Sequence, residues 1–521
     1  MISTDSQRTA RRLVVVLLVV FAATLPAVTP RIYASDEIEY FAFLRSAWFD
    51  RDFSFENEYR YFYDSGVARN PQFHETFLER VTPTGRRENF ASIGCAILWA
   101  PFYGVADLAA RSGIGQARWP ADGYSWPYIA AVAYASAFYG FLALLAGWLI
   151  AVALVGDQSP PGWRRAVIPV FAVWFGTPLL FYMYIAPPMS HACSAFAVSA
   201  FVLGWLRVRR RWSLAGCAGL GVLAALMTMV REQDAFVAAG PMIDFVWTLV
   251  RSFRARRAGD RFPQIVHPRP STMLLGAAAG AVGFAVAFLP QAIAYLAVNG
   301  RILPSVLVQR KMVWWSPHAW SVIASPEHGW FAWTPLALLA IIGLMALAVR
   351  GAQATRAVGE VDVVGRVEAG RTWATGLTVP DADRQLVALS LLAAVAAQVY
   401  IAGSVASWTV AGAFGQRRFM GLTALLVVGL TALLYRVRSR WGRGILAGLV
   451  VLCVWWNVGL MVQFGTGMMD RQRLELGRNA RATFVELPVR LPRLAYRYLF
   501  DRASFYGDPG ARGTQPQEGP R

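Results

Sequence analysis

Charged side chains are scarce in this chain. Asp, Glu, Lys and Arg make up 16% of its 521 residues, against roughly 25% in an average soluble domain, and this shortage excludes an ordinary water-soluble fold. Cysteine is scarcer still. The four present, Cys95, Cys193, Cys217 and Cys453, lie far apart inside apolar segments with no CxxC pair. That pattern excludes a disulfide framework and a zinc site, and leaves them as small buried hydrophobes. There is no P-loop and no Gly-rich dinucleotide fingerprint, so nucleotide chemistry in a cytoplasmic domain is not expected. There is no HExxH or other paired-His spacing either. No metal and no cofactor are therefore assigned, with a divalent ion at His191 or His328 kept as the lesser reading.

Apolar residues are what the chain has in excess: 56% of the sequence, with a mean hydropathy of +0.41. A bilayer-spanning helix needs about 20 predominantly apolar residues. Runs of suitable length lie near 13–28, 126–154, 166–184, 191–207, 213–230, 235–250, 272–297, 330–349, 385–403, 419–434 and 444–463. The expected fold class is an all-α polytopic membrane protein of about eleven transmembrane helices with a long first extracytoplasmic loop. The net charge of +19 does not argue for nucleic acid as a partner. The arginines sit in short runs between apolar segments, where they set topology and touch anionic headgroups.

Three short basic loops, Arg207 to Arg211, Arg251 to Arg261 and Arg436 to Arg443, belong in the cytoplasm by the positive-inside rule. Arg8, Arg11 and Arg12 put the N-terminus there too, and the run after them reads as an uncleaved first helix rather than a signal peptide. Counting back from Arg207 then leaves both the first loop and the start of 126–154 outside. The run 91–110 must begin and end on one side, as a re-entrant or juxtamembrane helix, unless it spans and another run does not. Residues 1–464 form the membrane body, with a mixed-charge cytoplasmic loop at 350–384. Residues 465–521 form a basic extracytoplasmic tail. Its Pro-interrupted apolar stretch from Val485 to Phe500 is suited to the membrane surface, and its last dozen residues have the composition of a disordered end.

The first loop, residues 30–90, holds eleven of the 31 acidic residues, interleaved with fifteen aromatics. Ile38, Phe41, Leu44 and Trp48 recur at helical spacing. They fit a helix lying in the interface plane or an ordinary amphipathic surface helix.

This topology gathers the polar clusters on the outer face. Asp36 and Glu37 open the first loop, where either carboxylate suits a general base on an acceptor hydroxyl and Asp36 equally suits a helix cap. His191 follows Met189 and Ser190. Arg231 and Gln233 sit in the hairpin after Val230. His328 lies in a loop dense in tryptophan, and Arg417 and Arg418 precede a span. Outward-facing arginines run against the positive-inside trend. A phosphate on a lipid carrier would account for them, and so would simple contact with lipid headgroups. Polar residues at wet hairpin tips remain the plainer explanation of the whole set.

The arrangement resembles the GT-C superfamily of membrane glycosyltransferases. A short cytoplasmic N-terminus and one span are followed by Ser35-Asp36-Glu37-Ile38-Glu39-Tyr40 opening a long outer loop. The nearest branch is the bacterial relatives of dolichyl-phosphate-mannose protein mannosyltransferases and aminoarabinose transferases. Asn89 to Tyr103 is similar to the segment after the acidic loop in such proteins. Gly176-Thr177-Pro178, Pro188-Met189-Ser190-His191 and Val230-Arg231-Glu232-Gln233 are similar too. The resemblance covers roughly residues 1–350. It implies transfer of a sugar from a polyprenyl-phosphate donor to a glycan, lipid or protein acceptor outside the cytoplasm, in a bacterial inner membrane. It also implies that Asp36 or Glu37 serves the acceptor hydroxyl or balances charge at the anomeric carbon. The WWD-type signature of oligosaccharyltransferases and a large C-terminal domain are absent, which argues against that branch. A transporter or flippase of lipid-linked saccharide is the alternative, but it would be expected to show repeat symmetry and mid-membrane ionisable groups.

Overall fold

The computed structural model describes residues 4–113, 119–155, 160–257, 268–358, 379 and 381–505. The described residues are helical apart from loops and two isolated β-bridges, Val81 to Arg87 and Met312 to Val405. The helices of eight or more residues are α1 (Thr4–Thr24), α2 (Ser35–Arg45), α3 (Glu56–Asp64), α4 (Gly94–Arg111), α5 (Trp126–Val155), α6 (Pro160–Gly176), α7 (His191–Val208), α8 (Leu214–Val230), α9 (Ala239–Arg257), α10 (Pro270–Asn299), α11 (Pro335–Val358), α12 (Asp381–Gly403), α13 (Thr423–Arg436), α14 (Arg440–Thr466) and α15 (Leu487–Phe500).

Eight helical segments among the described residues are long and apolar enough to cross a membrane. They are Arg8–Ala27, Trp126–Val155, His191–Val208, Glu232–Arg257, Pro270–Asn299, Asp383–Gly403, Arg417–Arg436 and Arg440–Thr466. α10 shows why water cannot be their solvent. Its mean hydropathy reaches 2.0 while only 11% of its most apolar window is buried in protein. Leu275, Val282, Val286, Leu289, Ile293 and Leu296 point outward, each more than half exposed. Such a row is stable only against lipid. The chain is a multi-pass helical membrane protein.

The other expected spans also fall on helices, with changed bounds. The run 213–230 is α8, and the run 330–349 is the short helix Trp330–Trp333 followed by α11. The run 166–184 is divided at Thr177 and Pro178 into α6 and the short helix Leu179–Tyr184, since a proline removes a backbone donor and crowds the preceding turn. α11 continues as helix to Val358. Most of the expected loop 350–384, part of the basic loop after Arg251 and the last dozen residues lie outside the described residues.

α13 is the centre of the body. Every residue from Thr423 to Ala432 is buried, against α5 on one side and α11 on the other. Where α11 and α13 cross, a Cβ on Gly343 would stand 1.8 Å from the Gly429 carbonyl oxygen. Only two glycines let the backbones meet there, the small-residue packing used where no hydrophobic effect drives helices together.

The first loop is a packed cap. Ile38, Phe41 and Leu44 of α2 are buried, with Phe41 edge-on to Phe62 of α3 and Tyr103 of α4. The stripe legible in the sequence is therefore taken up by protein. Arg45 clasps Asp50 and, over 2.9 Å, Glu58. α4 starts beside the last turn of α8, where Ser92 Oγ donates to the Val230 carbonyl over 3.1 Å. It finishes beside the first turn of α5, where Tyr128 Oη donates to Asp107 over 2.7 Å. Both contacts lie at the end of the body that carries Asp36. The basic ends of α7, α9 and α13 lie at the opposite end.

Candidate functional site

The chain leaves α1 through a 3₁₀ turn, Leu25–Ala27, and runs extended to Ala34 before α2 begins. The first turn of a helix has unpaired N–H groups and a partial positive charge that favour carboxylates. Glu37 answers the first need. Its Oε2 folds back to accept the backbone N–H of Tyr33 at 2.8 Å and of Ala34 at 3.1 Å. The side chain is fully buried, and burial pushes its carboxyl up to about 8, outweighing the opposing pull of those two N–H groups. Glu37 thus caps the start of α2, and burial raises its affinity for a proton.

Asp36 projects from the neighbouring position, about 100° round the helix, and escapes that role. Its Oδ2 accepts from Arg417 Nη1 at 2.7 Å, and 46% of its side chain stays exposed. Arg417 opens the 3₁₀ turn Arg417–Leu422 that leads into α13. Gly415, at φ +63°, makes the preceding bend. A Cβ there would meet Pro178 Cγ at 2.6 Å, so glycine is required on both counts.

Arg231 stands in extended backbone between α8 and the 3₁₀ turn Glu232–Ala238. Its Nη1 donates to His191 Nδ1 at 3.0 Å and to the Arg417 carbonyl at 3.1 Å. Its Nη2 donates to Gln233 Oε1 at 3.3 Å. Gln233 Nε2 passes the chain on to the Arg418 carbonyl at 2.8 Å, and Gln398 Nε2 holds the Gln233 carbonyl at 2.8 Å. An arginine can only donate, so His191 Nδ1 accepts and the ring proton is on Nε2. That Nε2 is buried without a hydrogen-bond partner. The ring stands edge-on to Tyr182 at 4.2 Å.

His328 sits one layer behind. It has φ +65°, and its ring stacks on Trp333 at 4.6 Å. Its Nε2 meets the Ala413 carbonyl at 2.8 Å, which assigns the proton to that nitrogen. Gln416 Nε2 donates to the His328 carbonyl at 3.0 Å. Burial pulls the imidazole down to about 4, against the pull of the Ala413 carbonyl. His328 therefore positions the loop that carries Arg417 and Arg418.

Of the residues expected from sequence, Asp36, His191, Arg231, Gln233, Arg417 and Arg418 come together in one network. His328 supports it from behind, and Glu37 turns away from it. Sequence reasoning assigned no site role to Gln398, Gln416, Glu39 or Lys311. Glu39 is buried, and burial pushes its carboxyl well above the usual range. Asp36 and Glu88 act in the same direction, while Lys311 and Arg417 oppose. Lys311 is the only lysine in the chain, a signal that was available. Around Glu39 the acidic Asp36 and Glu88 and the basic Lys311 and Arg417 thus lie close together. Asp234 is itself buried and takes the Ser194 hydroxyl at 2.6 Å.

No family model, curated protein or solved structure matches the chain. The chemistry must be read from this geometry. Among the described residues no group of three or more His, Cys, Asp or Glu side chains is placed to hold a metal ion. The cluster offers an exposed carboxylate able to accept a proton, set beside guanidinium forks that match a phosphate.

Proposed function

We propose that the chain is a GT-C-like membrane glycosyltransferase that moves a sugar from a polyprenyl-phosphate donor to an acceptor hydroxyl on the extracytoplasmic side. The observation that carries this reading is the Asp36 to Arg417 pair: a half-exposed carboxylate 2.7 Å from a guanidinium, at the end of a lipid-embedded body where positive charge exceeds negative. In the proposed step the acceptor oxygen attacks the anomeric carbon. The bond from that carbon to the phosphate oxygen breaks, the hydroxyl proton passes to Asp36, and polyprenyl phosphate leaves. Arg231, Arg417, Arg418 and the His191 Nε2–H supply donors to the leaving phosphate, where charge develops. The donor's isoprenoid chain would lie against the lipid-facing helices, with its reactive end at the Asp36 surface.

The test is transfer from defined polyprenyl-phosphate sugars in reconstituted membranes. Wild type is expected to transfer, and Asp36→Asn is expected to lose transfer while retaining the fold. Full transfer by Asp36→Asn and by the Asp36→Asn/Glu37→Gln double variant would sink the carboxylate assignment. Failure of every donor, together with translocation of a lipid-linked sugar, would favour a transporter.

A further inference from the structure

The tail helix α15 presents three distinct faces. Leu487, Leu491, Leu494 and Tyr498 fall within one stripe at helical spacing, and all four are buried or half-buried against the protein. Arg490, Arg493 and Arg497 form a second stripe, turned about 100° from the first. Val489, Tyr496 and Phe500 form a third, roughly opposite the packed one, and they are 83%, 64% and 74% exposed. A surface helix needs one apolar face, and this one has two. Among the described residues nothing covers the second.

The finish of the helix is tied to the level where the first span leaves the bilayer, and the turn before its start packs on α14. At its start, the Thr483 carbonyl accepts from Trp455 Nε1 of α14 at 3.1 Å. At its finish, Tyr498 Oη donates to the Ala27 carbonyl at 2.8 Å. Arg502 donates to the carbonyls of Pro26 at 2.7 Å and Val28 at 2.6 Å. These carbonyls lie at and just past the end of the first span, Arg8–Ala27, where helix carbonyls lack intrahelical partners. The 14 residues of α15 cover about 21 Å between α14 and the exit of α1. From Glu486 to Phe505 the segment carries Arg490, Arg493, Arg497 and Arg502 against two carboxylates, Asp501 and Glu486, the latter 3.7 Å from Arg490.

We propose that α15 is an in-plane membrane strap whose exposed apolar face enters the bilayer at the Asp36 end of the body and whose arginines bind anionic phospholipid headgroups. An apolar face flanked by arginines beside the exit of the first span matches a lipid surface in both shape and charge. A protein partner would have to approach from within the headgroup layer. Because the strap closes on Pro26 to Thr29, seven residues before Asp36, it fixes the exit of α1 from which the acidic loop starts. This inference does not depend on the transferase reading.

The test uses the full-length protein in nanodiscs of phosphatidylcholine alone or of phosphatidylcholine mixed with phosphatidylglycerol. In a background with the four cysteines replaced by alanine, nitroxides are placed at Val489→Cys and Phe500→Cys. Both should be relaxed more by oxygen than by an aqueous nickel chelate, and should lie deeper when phosphatidylglycerol is present. In wild type, which needs no substitution, amide exchange across 487–500 should slow about tenfold with phosphatidylglycerol. The slowing should vanish in Arg490→Gln/Arg493→Gln/Arg497→Gln and persist in the corresponding triple lysine variant. Nickel access equal to that of a label at the exposed Arg478 would overturn the strap. So would shielding from oxygen and nickel alike, the signature of a protein partner, and exchange indifferent to phosphatidylglycerol would overturn the headgroup assignment.

Discussion

Arg417 donates to the Asp36 carboxylate over 2.7 Å, joining residues 381 positions apart in the chain. The contact brings the first turn of α2 to the 3₁₀ turn before α13, the most enclosed helix of the body. The two partners make separable predictions. Asp36→Asn keeps an oxygen that accepts from Arg417, so the fold should survive while proton acceptance is lost. Transfer is expected to fall by roughly 10²–10⁴-fold. Arg417→Gln removes a donor from the leaving phosphate and should cost about 10²-fold. Arg417→Lys keeps the charge without the fork and should fall between wild type and Arg417→Gln. Single-turnover transfer rates, with thermal unfolding as the control for folding, separate these cases. Equal rates for all three variants and wild type would dismiss the pair from the chemistry.

Glu37 should behave in the opposite way. Its Oε2 role is available to a glutamine oxygen, and its carboxyl, raised to about 8 by burial, carries little charge at neutral pH. Glu37→Gln is expected to transfer at close to the wild-type rate. The linkage sign follows from the same shift. The folded protein holds the Glu37 proton up to about pH 8, whereas the unfolded chain releases it near the ordinary value of 4.5. Between these the folded state binds more protons, so this group makes stability fall as pH rises through the window, and not outside it. Thermal unfolding from pH 5 to 9, compared between wild type and Glu37→Gln, should show the variant gaining stability relative to wild type as pH increases. Parallel profiles would show that Glu37 ionises freely.

The contrast between these neighbours marks where sequence reading reaches its limit. The apolar runs were legible because a bilayer demands length and hydropathy, and both are properties of a linear segment. Arg231, Gln233, Arg417 and Arg418 were legible as a set because helix direction puts alternate loops on one face. Which of two adjacent carboxylates faces the arginines depends on the extended backbone at Tyr33 and Ala34, and that is set by tertiary contacts such as Thr29 N–H to the Tyr184 carbonyl at 2.8 Å. Glu39 and Lys311 lie 272 positions apart, and no local pattern links them. The stripe of Ile38, Phe41 and Leu44 was visible as apolar, but whether lipid or protein covers it depends on α3 and α4.

His328 supplies a second pH signature of the reverse sign. Its imidazole is pulled down to about 4 from an ordinary value of 6.5. Between those values the unfolded chain binds the extra proton and the folded protein does not. Its contribution therefore falls as pH drops from about 6.5 toward 4, and is constant above. Asparagine tolerates the left-handed backbone that His328 adopts at φ +65°. His328→Asn should fold, lose the stack on Trp333 and show less acid sensitivity than wild type in that window. A transfer assay at pH 7.5 should show a modest loss, because the loop bearing Arg417 is loosened and no reacting group is removed. Acid sensitivity identical to wild type would place the titration elsewhere.

At the end of the body opposite Asp36, Arg209 grips Asp244 with two bonds, Nε to Oδ2 and Nη2 to Oδ1, each 3.0 Å. It reaches Asp383 at 3.2 Å, and Trp205 Nε1 donates to Asp244 at 2.9 Å. The Arg209 and Asp244 side chains are 5% and 0% exposed. This pins α7 to α9 and α12 where neither apolar burial nor membrane geometry fixes their rotation. Removing one member of a buried pair strands the other charge, at a cost of about 3–5 kcal/mol. Arg209→Leu should therefore lower the unfolding temperature in detergent more than the double variant Arg209→Leu/Asp244→Leu does. The double variant should stay somewhat below wild type, because Trp205 Nε1 then lacks its acceptor. Arg209→Lys cannot make two parallel bonds to Asp244 and should sit between wild type and Arg209→Leu. A double-mutant cycle measures the coupling directly, and additive losses across that cycle would show that the pair contributes nothing to holding these three helices together.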